Sequence, residues 1–260
     1  MFIDTHCHLD SYEEQTGQSI DHLFDQLRSE NAMPRAMIHV ACNPLDFDRA
    51  IELSEKYPFV YTAFGIHPEY ADTATDADLK RLTECIKHPK AVGFGEFGLD
   101  YHYVQDNAPK QIELFERQLD MGILAKKPLV LHLREADDDA LSVLQSKDLS
   151  QTKIHVHCFT GTREFVKKIL KIDAQIFVGF TGIVTFKTAE NVREAAAEVP
   201  LDQLLLETDS PYMTPVPFRG KPCHPGHIPY TAKKLAEIKG IPLEKLYEEC
   251  RQNTLRCYGI

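Results

Sequence analysis

The chain has 260 residues, of which 43% are hydrophobic and 26% are charged. These values exclude a disordered, collagen-like or coiled-coil chain, and the length fits one large α/β domain, which we expect over residues 1–260. With 39 acidic and 29 basic side chains the net charge is −10, so the chain lacks the uniform basic field of a non-specific nucleic-acid binder.

The sequence has no pattern typical of a membrane or secreted protein. No apolar run approaches the roughly 20 residues of a membrane span, and the N-terminal residues are polar where a signal peptide needs an apolar stretch. The seven cysteines are scattered without a C-x-x-C pair, which argues against a disulfide framework. We therefore expect a soluble, cytoplasmic protein with no membrane association and no obligate protein partner.

Short apolar segments alternate along the chain with longer amphipathic ones. The predicted strands are Phe2–His6, Ala36–Ala41, Val60–Gly65, Ala91–Gly95, Leu129–Leu133, Ile154–His157, Gln175–Gly179 and Leu204–Glu207. The predicted helices include Ile20–Glu30, Phe47–Lys56, Lys110–Lys126, Ala136–Ser146, Glu164–Leu170 and Glu190–Val199. Asp76 and Thr162 are typical helix starts. Eight strands separated by helices predict a single TIM-type (β/α)8 barrel, an α/β fold that takes about 250 residues.

The positions of metal-binding residue types favour this barrel over a doubly wound open sheet. Functional residues of a barrel follow several different strands, whereas an open sheet gathers its ligands at one switch point. Residues of these types follow the first, fourth, fifth, sixth and eighth predicted strands: His6, His8, Glu96, His132, His157 and Asp209. We therefore expect the functional site at the carboxyl ends of the barrel strands.

The segment Gly93–Gly98 matches G-x-G-x-x-G, a pattern typical of dinucleotide-binding loops. That pattern must open directly into a helix whose N-terminus holds the pyrophosphate. Here helical periodicity resumes only near Lys110, and the carboxylate of Glu96 would repel a phosphate. The sequence therefore argues against nucleotide binding at this segment.

His6 and His8 alternate on the first strand, so both imidazoles point to the same face. A lone H-x-H also occurs by chance on protein surfaces, but four further residues favour a metal site: Glu96, His132, His157 and Asp209. Four imidazoles and two carboxylates are too many ligands for one tetrahedral ion. They suit two divalent ions about 3.5–4 Å apart that share a carboxylate, and Glu96, between glycines, is the expected bridge.

Six short motifs lie in order along the whole chain. They are I-D-T-H-C-H-L-D at 3–10, G-I-H-P at 65–68, G-E-F-G-L-D at 95–100, H-L-R-E-A at 132–136, H-C-F-T-G at 157–161 and E-T-D-S-P-Y at 207–212. Together they resemble the TatD family of metal-dependent deoxyribonucleases, within the amidohydrolase-like superfamily. The resemblance implies a TIM-type barrel with one ion held by His6, His8, Glu96 and Asp209, and a second by Glu96, His132 and His157.

The resemblance also implies hydrolysis of DNA phosphodiester bonds, with nucleotides removed from the 3′ ends of single strands. A water activated by both ions would attack phosphorus, with Glu96 and Asp209 as the catalytic residues and Asp209 taking the proton. Imidazole-rich sites favour Zn²⁺, and phosphoryl transfer often uses Mg²⁺ or Mn²⁺, so the sequence leaves these three ions open.

Four residues are expected to bind the substrate: His67, Arg134, Arg219 and Lys221. Guanidinium groups pair well with phosphate, and each arginine has the alternative of a solvated surface charge. Arg219 and Lys221 belong to the proline-rich stretch Pro211–Pro229, which we expect to form a loop over the barrel mouth. This loop departs from the family, because Cys223 and His224 stand where related sequences usually have Asn and Glu.

Two other functions compete with the deoxyribonuclease. A small-molecule amidohydrolase or lactonase would use the same metal centre, and the acidic net charge favours it. A non-enzymatic metal-binding protein is the third reading, but open coordination positions beside an acidic residue serve no structural purpose.

His155, two residues before His157, is expected to lie one layer deeper than the metal ligands.

Overall fold

The computed structural model describes residues 2–102 and 106–260. Eight parallel strands pair in chain order to form one sheet. They are β1 (Ile3–Cys7), β2 (Ala36–Ala41), β3 (Val60–Phe64), β4 (Ala91–Asp100), β5 (Leu129–Arg134), β6 (Lys153–Val156), β7 (Gln175–Phe180) and β8 (Leu204–Leu206). The predicted parallel barrel is confirmed.

β1 and the residue after it contact the segment that follows β8, which brings the sheet close to full closure. Cys7 and Ser210 form a parallel bridge, and the amide of His8 donates to the carbonyl of Ser210 at 2.7 Å. Asp4, fully buried, accepts hydrogen bonds from both the amide and the hydroxyl of Thr208. These contacts join positions about 200 residues apart in the chain.

Helices follow the strands and cover the outside of the barrel. In the described ranges they are α1 (Leu9–Thr16), α2 (Ile20–Ser29), α3 (Phe47–Lys56), α4 (Asp76–Cys85), α5 (Ala108–Ala125), α6 (Asp137–Gln145), α7 (Arg163–Ile169), α8 (Glu190–Glu198), α9 (Ile228–Lys239) and α10 (Leu243–Tyr258). Thr162 caps α7 through its hydroxyl, as the sequence predicts, and Thr75 caps α4 with Asp78 in a capping box. None of these helices is long and apolar enough to cross a bilayer.

The fourth strand is longer than the sequence predicts and runs through the G-x-G-x-x-G segment. β4 extends to Asp100 because Gly95 and Gly98 adopt positive φ and let the backbone approach β5 closely. A Cβ on Gly98 would stand 2.1 Å from the carbonyl oxygen of His132. No helix opens at this segment, which agrees with the expectation that it is not a nucleotide loop.

The expected loop Pro211–Pro229 is irregular only in its first part. A 3-10 turn forms at Pro225–His227, and α9 begins at Ile228, so the end of the stretch belongs to a helix. Proline at the first positions of α9 favours this start, since its missing N–H has no partner there anyway.

The interior of the barrel is closed beneath the site by the end of α10. One buried cluster joins side chains from five strands with two from that helix: Ile38, Val40, Ala63, Val130, Phe177, Leu205, Cys257 and Tyr258. Among these residues Tyr258 also has a polar contact, because its hydroxyl lies 2.6 Å from Nδ1 of His155. His155 is fully buried, in the layer where the sequence predicts it.

Gly179 in β7 leaves room for this buried polar layer. A Cβ there would stand 2.4 Å from Nε2 of His155 and 2.5 Å from the carboxyl group of Glu207. We expect Gly179→Ala to destabilise the protein by about 1–3 kcal/mol, because overpacking a rigid core costs that much. Thermal unfolding should show this as a lower melting temperature. The cost should shrink when His155→Ala makes space, and an equal melting temperature for Gly179→Ala and the parent would contradict the argument.

Candidate metal centre

His6 and His8 reach the barrel mouth from β1 and from the residue that follows it. His6 is fully buried and His8 nearly so, and their Nε2 atoms lie 3.2 Å apart. The other ring nitrogen of His8, Nδ1, lies 2.8 Å from the carbonyl oxygen of Val40 in β2, which orients the ring. Alternation along β1 therefore aims both imidazoles at one point, as the sequence analysis predicts for this strand.

Glu96 on β4 stands between two groups of imidazoles. Its Oε2 lies 3.0 Å from Nε2 of His6 and 3.6 Å from Nε2 of His8. Its Oε1 lies 2.9 Å from Nδ1 of His132 and 3.0 Å from Nε2 of His157. One carboxylate oxygen thus faces each group, which is the arrangement a bridging ligand needs.

Asp209 completes the group around His6 and His8. Its Oδ1 lies 3.3 Å from Nε2 of His8 and 3.8 Å from Nε2 of His6. The residue adopts a positive φ of 56°, and its amide donates to the carbonyl of His6. Donor atoms of His6, His8 and Asp209 form one candidate metal-binding group, and those of His6, Glu96 and His157 form another.

The electrostatics of this cluster suit cations. Burial would raise the pKa of the Glu96 carboxyl, but the imidazoles of His157 and His6 and hydrogen bonds with His132 and His157 hold that pKa well below its ordinary value. Oε2 of Glu96 is buried and accepts no hydrogen bond from any described residue. The buried nitrogens Nδ1 of His6 and Nδ1 of His157 likewise have no partner among the described residues. Buried polar atoms of this kind are expensive unless ions compensate them, so the residues fit a pair of divalent ions.

Asp100, at the end of β4, orients His132. Nε2 of His132 lies 2.8 Å from Oδ2 of Asp100, while Nδ1 of the same ring faces Glu96 and His157. Burial would lower the pKa of His132, but these carboxylates raise it to about 9. Asp100 is itself held by hydrogen bonds between its backbone and the buried side chain of Gln111. A proton kept on Nε2 leaves Nδ1 available as a metal ligand.

We expect Asp100→Asn to lower the affinity for the ion near His132 and His157 by about 10–100-fold. This is the usual effect of losing a carboxylate that hydrogen-bonds a metal-binding imidazole. Titration with a competing chelator should show one metal site of lower affinity and one of unchanged affinity. Asp25→Asn, the same change on an exposed residue of α2 that does not line the site, is the control. Equal losses in both variants would contradict the role of Asp100.

The structure brings two of the four expected substrate-binding residues to the centre. Nε2 of His67 lies 3.5 Å from Oε1 of Glu96. Arg134 lines both cavities that open over the cluster, and its Nη1 lies 3.9 Å from Oδ2 of Asp100. Arg219 and Lys221 are exposed and line neither cavity, and the Arg219 guanidinium stacks 3.7 Å above the ring of Phe186.

Sequence reasoning missed one wall of the site. Four carboxylates from α1 and from the segments after β2 and β3 line a cavity beside the cluster: Asp10, Glu14, Asp46 and Glu69. Asp10 and Glu14 lie in a helix, and Asp46 and Glu69 lie in 3-10 turns, rather than at strand ends. Asp10 alone belongs to a motif of the resemblance, so only the folded chain shows that the four face one space.

An eight-stranded parallel barrel with histidines and carboxylates clustered at the carboxyl ends of its strands is the architecture of metal-dependent hydrolases of the amidohydrolase-like class. Comparison with known sequences narrows this class: the family model described as TatD related DNase matches residues 3–259. The chain belongs to the TatD family.

Individual relatives agree with this assignment. The chain is 34% identical to the metal-dependent hydrolase YabD of Bacillus subtilis, over all of both chains. All of this chain aligns with the human 3'-5' RNA nuclease TATDN2 at 37% identity, and the chain spans only 35% of the length of that protein. Among solved structures, YJJV, a TatD homologue from Escherichia coli, superposes with a TM-score of 0.89 at 29% identity, covering 100% of this chain and 98% of that one.

Proposed function

We propose that this metal-dependent hydrolase is a deoxyribonuclease that removes nucleotides from the 3′ ends of single DNA strands. The observation that carries the proposal is Glu96, whose two oxygens each face a different pair of histidines at 2.9–3.6 Å. The family description as a DNase and the 3′-5′ direction named for the human relative support the substrate and the polarity.

Two divalent ions, such as Zn²⁺, Mg²⁺ or Mn²⁺, would be held by His6, His8, Glu96 and Asp209 on one side and by Glu96, His132 and His157 on the other. When bound, such a pair supplies an activated water and neutralises phosphoryl oxygens.

Asp209 takes the proton of the attacking water, since its carboxylate lies in the cluster and is ionised: burial would raise its pKa, but the imidazoles of His8, His157 and His6 hold that pKa below its ordinary value. Arg134 stands beside the cluster and holds the phosphate by its charge, and His67 holds it by a hydrogen bond. Asp100 keeps the proton of His132 on Nε2, so that Nδ1 of the ring faces the metal site.

A small-molecule amidohydrolase or lactonase is the competing function, favoured by the scarcity of basic side chains around the site. Among the described residues, Arg134 is the one lysine or arginine that lines either cavity over the cluster. A nuclease that tracks a long strand normally uses a basic groove.

The test is a substrate panel run with the protein loaded with Mg²⁺, Mn²⁺ or Zn²⁺. We expect stepwise shortening, from the 3′ end, of single-stranded DNA that is labelled at its 5′ end. We expect no turnover of a lactone or a dihydropyrimidine. Single-stranded RNA serves as a second nucleic acid, and the His157→Ala protein reports contaminating nucleases. Turnover of the small molecules with intact DNA would overturn the proposal, and faster cleavage of RNA would replace DNA as the substrate.

A further inference from the structure

A cavity of about 580 Å³ adjoins the metal centre on the side of β1 to β4. Its inner end is formed by cluster residues, including His8, Glu96 and Asp209. Its outer wall carries Asp10, Glu14, Asp46 and Glu69, and we call the space the acidic cavity. The volume is within the range of small-ligand sites, so the cavity can take part of a substrate whose reacting group lies at the metals.

The charge of this cavity is one-sided. Its described lining has seven carboxylates and a single arginine, Arg134, which stands at the inner end. Two bound divalent ions together with Arg134 would offset five of the seven carboxylates, so the lining keeps a net negative charge. The pKa of Asp46 is raised, mainly by burial and further by the negative charges of Asp10 and Glu14. The carboxylates of the outer wall therefore repel one another.

An aromatic side chain lies at the edge of the same cavity. Tyr212 is 49% exposed although it adjoins the site, and its ring centre lies 6.2 Å from that of His8. Tyrosine rings of this kind stack on nucleobases without selecting their sequence. The acidic cavity therefore combines a flat apolar surface with hydrogen-bond acceptors, which suits an uncharged nucleoside and repels a phosphate.

We propose that the acidic cavity receives the uncharged 3′-terminal nucleoside of the strand and discriminates against a strand with a 3′-terminal phosphate. This inference rests on the proposed function. The scissile phosphate then lies at the metals, and the terminal nucleoside lies between Tyr212 and the acidic wall. The wall would thus make the enzyme specific for free 3′-hydroxyl ends.

The test compares single-stranded oligonucleotides of one sequence that carry a hydroxyl or a phosphate at the 3′ end, and separately at the 5′ end. We expect the 3′-phosphate to lower kcat/KM at least about tenfold and the 5′-phosphate to have little effect. Equal cleavage of the 3′-hydroxyl and 3′-phosphate strands would overturn the inference and leave the nuclease intact. Failure of the metal-loaded protein to cleave any of the strands would overturn the proposed function itself.

A second experiment removes negative charge from the wall of the acidic cavity. Glu14→Gln combined with Asp46→Asn removes two charges from the cavity with little change of shape, and should reduce the preference for 3′-hydroxyl ends several-fold. Glu113→Gln combined with Glu116→Gln makes the same change of net charge on exposed residues of α5 that line neither cavity. An identical preference in both double variants would show that the wall does not select the end of the strand.

Discussion

Replacement of Glu96 by glutamine is expected to remove more metal than any single histidine replacement. One oxygen of Glu96 faces His6 and His8 and the other faces His132 and His157, so the loss of its charge weakens both ions. At a free-metal concentration that saturates the parent at about two ions per chain, the Glu96→Gln protein should hold less than one. Elemental analysis after gel filtration measures this directly.

Two comparisons make the Glu96 result specific. Glu113→Gln, on an exposed face of α5, makes the same chemical change and should keep the parent's metal content. His157→Ala removes a ligand from one side only and should leave the other ion bound. If Glu96→Gln emptied one position and left the other full, Glu96 would be a terminal ligand and the bridging arrangement would be wrong.

Asp209→Asn is expected to lower kcat by about 10²–10⁴-fold, the usual contribution of general-base catalysis. Asparagine keeps the size and one acceptor oxygen of Asp209 but loses its charge and its ability to take a proton. Single-turnover hydrolysis of single-stranded DNA, measured with metal content determined on the same sample, separates a loss of chemistry from a loss of metal.

Substrate binding is the matched readout for Asp209. The affinity of the Asp209→Asn protein for a DNA strand should stay close to that of the parent, because the phosphate contacts assigned to His67 and Arg134 are intact. A near-normal kcat with full metal content would show that Asp209 is not the proton acceptor. A loss of affinity equal to the loss in kcat would instead make Asp209 a binding residue.

The barrel could be predicted because strands and helices alternate with simple periods. β2 and α3 have the predicted bounds, and most other elements differ by one or two residues. The candidate site could be located for the same reason: in a parallel barrel all strands end at one rim, so residues that follow five strands must meet. His6 and His8 needed only the two-residue alternation of β1.

The remainder depends on contacts that sequence periodicity does not contain. β4 extends to Asp100 because Gly95 and Gly98 admit the backbone of β5, and a pattern of glycines reads equally well as a loop. Arg219, in the irregular segment after β8, stacks on Phe186 rather than lining either cavity, which depends on how two distant segments pack. The orientation of His132 by Asp100 likewise needs β4 and β5 in register.

The meeting of β1 with the segment after β8 has a consequence for folding. The candidate ligands on the two sides of this seam, His6 and His8 on one side and Asp209 on the other, are about 200 residues apart in the chain. An ion bound by them would act as a cross-link that closes a very long loop, and metal binding to a site that forms only on folding adds to folding stability. Chelation should therefore increase proteolysis at the seam before it exposes the α5 side of the barrel.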